Sequence, residues 1–442
     1  MKLYSTNNKD LNVDFTTAVF NSMPLDKGLY MPVHIPELDQ EFINNIDKFT
    51  LSQIAYKVSS LLLRDAIPLE DLQQIIDDAI NFDAPLVPLQ EGGDTCVLEL
   101  FHGPSLAFKD FGARFMSRIM AYFLKDNEKM LDVLVATSGD TGGAVALGFL
   151  GVPNTRVTIL YPKGKVSEIQ ELQLCTNGQN IHAIVVDGTF DDCQSLVKQA
   201  FADDELNGKL RLTSANSINI SRLIPQTFYY FNAYAKLKRQ GKEEVVFSVP
   251  SGNFGNIAAG LLAYKMGLPV KQFIAATNIN DTVPRFLDTG VYETRPSVQT
   301  YANAMDVGAP SNWVRIMDLF GNDQEAIKNI VKSYSFTDDE TLQAIKDLYE
   351  KFSYVACPHT AIAWLALQSY SKEAIADGNE DSNESKVFLS TAHACKFPDI
   401  FPEEIKASIQ IPEQVNSLFS KEKKATAMDS SFESFKRYLT SY

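Results

Sequence analysis

Hydrophobic spacing along the chain changes character near residue 96. Upstream, apolar residues recur every three or four positions, as in Leu51, Ile54, Ala55, Val58, Leu61 and Leu62, and again through 68–79. That period predicts amphipathic helices, and so a mostly helical N-terminal domain over residues 1–95. Asn7 to Asp10 and Asp26-Lys27-Gly28 read as turns, and Pro32, Pro36, Pro85 and Pro88 punctuate the segment. Downstream, short β-branched runs alternate with helical stretches. Strands are predicted at 133–137, 157–161, 181–186, 245–249, 273–277 and 387–391. Helices are predicted at 111–124, 142–148, 190–201, 226–238 and 257–266. Continuous apolar strands separated by helices mean parallel sheets buried on both faces, an α/β fold. Residues 324–352 read as polar amphipathic helices, and 376–385 as an acidic surface loop. Ligands of such sheets bind beyond the carboxyl ends of the strands, so the loops there are the places to search for chemistry.

Length and charge narrow the function. A chain of 442 residues exceeds one ordinary core, so two or three domains or one large composite are expected. A net charge of −15 would repel nucleic acid and anionic membranes, so any anionic ligand must be held locally by backbone N–H groups and a few cations. Five cysteines without a CxxC pair read as reduced thiols, and five scattered histidines give no metal-ligand spacing. With no apolar leader after Met1 and no run of membrane-spanning length, the expectation is a cytoplasmic monomer or homodimer.

Five segments carry candidate chemistry. Ser251-Gly252-Asn253-Phe254-Gly255-Asn256 joins a strand to an apolar helix. Its backbone N–H groups suit a phosphate, although a tight turn with a helix cap has the same pattern. Thr137-Ser138-Gly139-Asp140-Thr141-Gly142 opens another helix, where it either binds an anion or caps free N–H groups. Lys109 ends an apolar loop and precedes a helix expected to begin at Asp110. A lysine there has a depressed pKa and can act as a nucleophilic amine, although most lysines are solvated surface charges. Asn216, Ser217 and Arg222 form either an anion clamp or a polar loop with a surface ion pair. Last, Ser390 and Thr391 put hydroxyls at the end of the final strand, followed by His393.

Taken together and in order, these segments resemble the threonine synthase family of fold-type II pyridoxal-phosphate (PLP) enzymes. The matching pieces are GLYMP, ELFHGPSLAFKD, ATSGDTGGAV, ILYPKGKVS, SANSINISR, SVPSGNFGN, FIAATNINDTVPRF and STAHACKF, which span essentially the whole chain. The resemblance implies a tryptophan synthase β-like architecture. Two open parallel-sheet subdomains, the smaller at about 130–215, make up a catalytic domain of residues 96–442 beside the N-terminal domain. It implies that Lys109 holds PLP as a Schiff base. Gly252, Asn253, Phe254, Gly255 and Asn256 then hold the cofactor phosphate, and Thr391 meets the pyridine nitrogen. Asp140 faces the cofactor, with Ser138 and Thr141 on the substrate side. Asn216, Ser217 and Arg222 bind the substrate phosphate, while no role follows for His102. The implied reaction is a carbon–oxygen lyase step converting O-phospho-L-homoserine and water to L-threonine and phosphate, with Lys109 as the base for the Cα proton. Two alternatives are another fold-type II lyase, such as a serine or threonine dehydratase, and a non-catalytic PLP-binding relative. Ser105, Gly143 and Ala394-Cys395 depart from the family pattern, which commonly has threonine, alanine and Pro-Ala at these places.

Overall fold

The computed structural model describes residues 1–125, 129–378 and 384–441. Fourteen strands are found among them: β1 (Lys2–Ser5), β2 (Asn8–Asp14), β3 (Tyr30–Pro32), β4 (Leu86–Pro88), β5 (Thr95–Glu99), β6 (Leu131–Ala136), β7 (Thr155–Pro162), β8 (Ile181–Asp187), β9 (Arg211–Ser214), β10 (Glu244–Pro250), β11 (Gln272–Thr277), β12 (Val331–Ser335), β13 (Glu384–Ser390) and β14 (Ala425–Asp429). They form three sheets, ordered β2-β1-β3, β12-β11-β10-β13-β5-β4 and β14-β8-β7-β6-β9. All pairs in the five-stranded sheet are parallel, and in the six-stranded sheet only β4 runs antiparallel. Every residue of β6 and β11 is buried, as strands covered by helices on both faces require.

The six strands and seven helices expected from periodicity are present with shifted ends; for example, helix Lys109–Leu124 starts one residue before its expected origin. Strands β5, β9 and β14 and helix Pro358–Ala376 are not among the predicted elements, and three regions differ from their expected form. The N-terminal segment opens with an antiparallel sheet, so Asn8 to Asp10 lie in β2 rather than in a turn. That strand is almost wholly exposed and polar, which hides its alternation. Within 324–352, the edge strand β12 separates helices Gln324–Ile330 and Asp338–Phe352. Its Lys332, Ser333 and Ser335 leave little apolar signal. Of the acidic stretch 376–385, residues 379–383 lie outside the described residues, while Glu384 and Ser385 begin β13 and are buried.

Two connections bear on the division of the chain. β4, from upstream of residue 96, is the antiparallel edge of the six-stranded sheet. β14, near the C-terminus, returns to pair with β8 in the five-stranded sheet. One apolar core runs from Leu3, Phe15 and Ile54 through Phe111 and Phe115 to Phe228 and Phe247, so the N-terminal helices share their core with both parallel sheets.

Candidate active site

The loops after β5 and β13 are neighbours because those strands pair in parallel. Beyond the strands the two segments run antiparallel. Phe108 N–H donates to the Thr391 carbonyl at 2.9 Å, His393 N–H donates to the Leu106 carbonyl at 3.1 Å, and Ala107 lies opposite Ala392. Leu106 takes a left-handed conformation, φ 57°, to make this return. Lys109 then begins its helix two residues from the bridge to Ala392, and no side chain caps that helix end. Thr391 is buried in the same corner.

The Lys109 residue is half-buried, but its ammonium lies deep among protein atoms. Loss of hydration there lowers its pKa to about 8; Asp140 opposes the shift, while Lys396 and Arg222 add to it. Asp140 starts helix Asp140–Phe149 and is itself buried. Its carboxylate is held well below the usual range against the penalty of burial, first by the charge of Lys396 and then by that of Lys109. Lys396 Nζ lies 2.7 Å from Asp140 Oδ1, and Gln170 Nε2 donates to the same oxygen at 3.0 Å. Ser138 and Thr141 flank Asp140 and are half-buried. Gly139, at φ 131°, turns the chain between them, a conformation that side chains rarely adopt.

The glycine loop after β10 is built from backbone. A Cβ at Gly252 would come within 2.6 Å of Met305 Cα, a contact that no flexible side chain can relieve. Phe254 takes a left-handed conformation, φ 58°, and helix Gly255–Lys265 follows with no side-chain cap. Such a helix end offers N–H groups and positive potential to an anion. Asn256 contributes differently: its Oδ1 accepts from Tyr229 Oη at 2.6 Å and Tyr230 Oη at 2.7 Å, so its side chain serves the protein interior.

This loop is tied to the segment after β9. Asn253 Nδ2 donates to Ser217 Oγ at 2.6 Å, and Asn312 Nδ2 donates to the same oxygen at 3.2 Å. Asn216 donates to the Ala136 carbonyl at 3.0 Å, anchoring the segment to the end of β6. Arg222 is buried in helix Ile220–Leu223, donates to the Ala215 carbonyl, and keeps a buried Nε without a partner. Burial lowers its pKa to about 10, with Asp110 opposing. It forms no ion pair with a carboxylate among the described residues, so the surface-pair reading of Arg222 is excluded.

Sequence reasoning overlooked Arg315, Lys396 and His359. Arg315 is wholly buried and donates to the carbonyls of Ser217 at 3.0 Å and Ile218 at 2.6 Å, to Asn312 Oδ1 at 2.7 Å and to the Tyr30 carbonyl at 3.4 Å. It thereby connects the GLYMP segment to the SANSINISR segment. Burial lowers its pKa to about 9, and it too meets no carboxylate in an ion pair among the described residues. His359 begins the helix that packs beneath the six-stranded sheet, and it accepts the Ala304 N–H at 3.2 Å. Burial lowers its pKa to about 4, Asp140 opposing and Lys109 and Lys396 reinforcing. A WVRIM helix and a lone His in CPHT carry no local signal of this kind; only the fold brings them to the site. His102 stands apart, exposed, stacked on Phe101 and bonded to Glu99 at 2.8 Å.

Comparison with known proteins gives a concordant result. A model of pyridoxal-phosphate dependent enzymes matches residues 81–389. Models of the threonine synthase N terminus and C-terminal region match residues 2–80 and 360–439. Threonine synthase of Escherichia coli K12 is 43% identical over 415 residues, 94% of either chain. A crystal structure of the Escherichia coli threonine synthase superposes with a TM-score of 0.90 over 99% of both chains at 40% identity. The PLP-bound threonine synthase of Brucella melitensis gives 0.89 at 34% identity, covering 99% of this chain and 98% of that one. A tomato threonine deaminase shares the fold alone, with a TM-score of 0.56 at 17% identity. This chain belongs to the threonine synthase family of pyridoxal-phosphate dependent enzymes.

Proposed function

We propose that the chain converts O-phospho-L-homoserine and water to L-threonine and phosphate, the last step of threonine biosynthesis, with Lys109 holding PLP. The observation that carries the choice of substrate is the pair of buried guanidinium groups bonded to the 215–218 segment, Arg222 to the Ala215 carbonyl and Arg315 to the Ser217 and Ile218 carbonyls. Neither is neutralised by a carboxylate ion pair among the described residues. Burying an unpaired charge costs several kcal/mol unless another ion or good hydrogen bonds compensate it. An anionic substrate group supplies that compensation. A dehydratase substrate has no phosphate, so such a pair would have no purpose in the alternative lyase. An intact amine at Lys109 likewise argues against a non-catalytic relative.

The residues fit the cofactor. The uncapped helix at Gly255, the left-handed Phe254 and the crowded Gly252 make a backbone cradle for a phosphate monoester. There Gly252, Asn253, Phe254, Gly255 and Asn256 would act through their main chain. Thr391, across the strand bridge from Lys109, would offer the ring nitrogen a hydroxyl. Bound PLP supplies an electron sink that acidifies the carbon bearing the amino group.

Everything else falls to the chain. When it is not bonded to the cofactor, the Lys109 amine, with a pKa of about 8, is partly neutral at physiological pH and can accept the Cα proton. Asn216, Ser217 and Arg222 hold the substrate phosphate, and the charge of Arg222 stabilises the phosphate as it leaves. Ser138 and Thr141 orient the amino acid, and Asp140 faces the cofactor. The same reading divides the chain into residues 1–95 and 96–442, with the smaller sheet supplying the loop at 138–141 and the segment at 216–217. It places a monomer or homodimer in the cytoplasm, which fits a chain with no described helix long and apolar enough to cross a membrane. Incubating the PLP-loaded protein with O-phospho-L-homoserine tests the reading. Threonine and phosphate should form in equal amounts; 2-oxobutyrate without threonine would reject it.

A further inference from the structure

The site holds two buried lysines, and the reaction as described above uses only one. Lys396 is fully buried in the turn after β13. Its ammonium touches Asp140 Oδ1 at 2.7 Å and donates to the Ser105 carbonyl at 3.0 Å. The partners come from three separate places: Lys396 from the turn after β13, Asp140 from the start of the helix after β6, and Ser105 from the loop that delivers Lys109. A buried ion pair is seldom worth more than well-packed apolar side chains of similar size, so stability is a poor reason for this one.

Its position suggests another. Asp140 is a buried carboxylate whose field reaches Lys109, Lys396 and His359. Lys396 takes the direct contact, and Lys109 forms no ion pair among the described residues. Without Lys396, the carboxylate would be left facing the Lys109 amine, the very group that must stay free to hold the cofactor and to move a proton. We propose that Lys396 is a positioning residue: it occupies Asp140 and so leaves the Lys109 amine without a carboxylate partner. The inference rests on Lys109 being the cofactor-bearing amine.

The charged and titratable groups acting on Lys109 are Asp140, Lys396 and Arg222, with His359 facing the same cluster from beneath the large sheet. Asp110, the next residue in its own helix, accepts the Ser105 N–H at 2.9 Å, and burial raises its carboxyl to about 6. Asp140 favours the protonated Lys109 and Lys396 disfavours it. Removing either partner therefore moves the titration of Lys109 in opposite directions, which a merely structural role would not do.

The test is the pH dependence of the holoenzyme's visible cofactor absorbance, which reads the proton on the cofactor-bound Lys109 nitrogen, beside the acid limb of kcat, which reads the freed amine. Lys396→Met should raise the midpoint by about one pH unit or more, the usual effect of a nearby carboxylate that has lost its other partner. Asp140→Asn should lower it, the double variant should return towards the parent, and Lys396→Arg should stay close to the parent. Midpoints that stay put, or that move the same way in both single variants, overturn the proposal. If Lys396→Met does not fold, Asp140→Asn and Lys396→Arg still decide it: an unchanged midpoint in the first or a shifted one in the second refutes it. Lys109→Ala separates this from the underlying reading. If that variant keeps the parent's cofactor band, Lys109 is not the cofactor-bearing residue; if it loses the band, only the role of Lys396 is in question.

Discussion

Charge is handled in opposite ways on the two sides of the site. Around Lys109 the positive groups share a carboxylate: Asp140 lies against Lys396 and within the field of Lys109. Along the 215–218 segment they do not, because Arg222 and Arg315 are tied to carbonyl and amide oxygens and meet no carboxylate in an ion pair among the described residues. Both arrangements are buried, so desolvation alone cannot distinguish them. The difference lies in what each leaves unsatisfied. The lysine side leaves an amine that is easily neutral, and the arginine side leaves permanent cations with unspent charge. A PLP enzyme acting on a phosphorylated amino acid needs one of each, and the backbone links through Ser217 and Asn253 hold the two sides in register.

The comparison breaks most completely if the lysine side is removed. Lys109→Ala should lose the visible cofactor band and reduce kcat by at least about 10²–10⁴-fold, the range for loss of a positioned acid–base group. Spectroscopy and threonine assay on the same sample check both. A variant that keeps the parent band and turnover would leave the lysine side without a function.

Damage to the arginine side should look different. Arg222→Met removes a charged donor worth about 1.5–3 kcal/mol, so KM for O-phospho-L-homoserine should rise roughly 10–100-fold while the cofactor band survives. Arg315→Lys should follow it with a smaller rise, since an ammonium cannot span the carbonyls of Ser217, Ile218 and Tyr30 together. Inhibition by inorganic phosphate should weaken in parallel. If either variant lowers kcat with KM unchanged, the guanidinium groups act on the reacting carbon rather than on the anion.

pH sharpens the same contrast. Arg222 and Arg315 remain charged through neutral pH, their pKa values being about 10 and about 9. Lys109, near 8, does not. Because the substrate complex needs the neutral Lys109 amine, kcat should rise about tenfold per pH unit below about 8 and level off above it. Phosphate binding should stay flat over that range, apart from the titration of phosphate itself. A pH–rate profile flat from 6 to 9 would mean that the step limiting turnover does not depend on a neutral Lys109.

Legibility in the sequence followed the same divide. Six of the parallel strands were readable because burial on both faces leaves unbroken apolar runs such as Leu131–Ala136, whereas the short parallel strands β5, β9 and β14 were not predicted. β2 and β12 were not, because exposed and edge strands carry polar residues on the faces where alternation would show. Lys109, the 252–256 loop and Arg222 sit in segments with glycines or clustered polar groups. Arg315, His359 and Lys396 lie in ordinary helical or turn sequence, and long-range packing alone makes them part of the site. Asn256 was legible as a position but not as a role, since nothing local shows that its amide turns towards Tyr229 and Tyr230.

His102 supplies the smallest expected effect. It belongs to the ELFHGPSLAFKD segment that delivers Lys109, yet it is exposed and bonded to Glu99, with its ring stacked on Phe101 at 4.8 Å between centroids. It touches neither the shared carboxylate nor the unpaired cations. An exposed side chain away from such features changes free energies by about 0.5 kcal/mol or less, so His102→Ala should keep kcat/KM within roughly twofold of the parent. A tenfold loss with the cofactor band intact would extend the functional region along β5 to Glu99 and Tyr354, whose hydroxyl donates to Glu99 at 3.2 Å. The lysine side would then depend on a second carboxylate, and the contrast between one shared carboxylate and none would no longer describe the site.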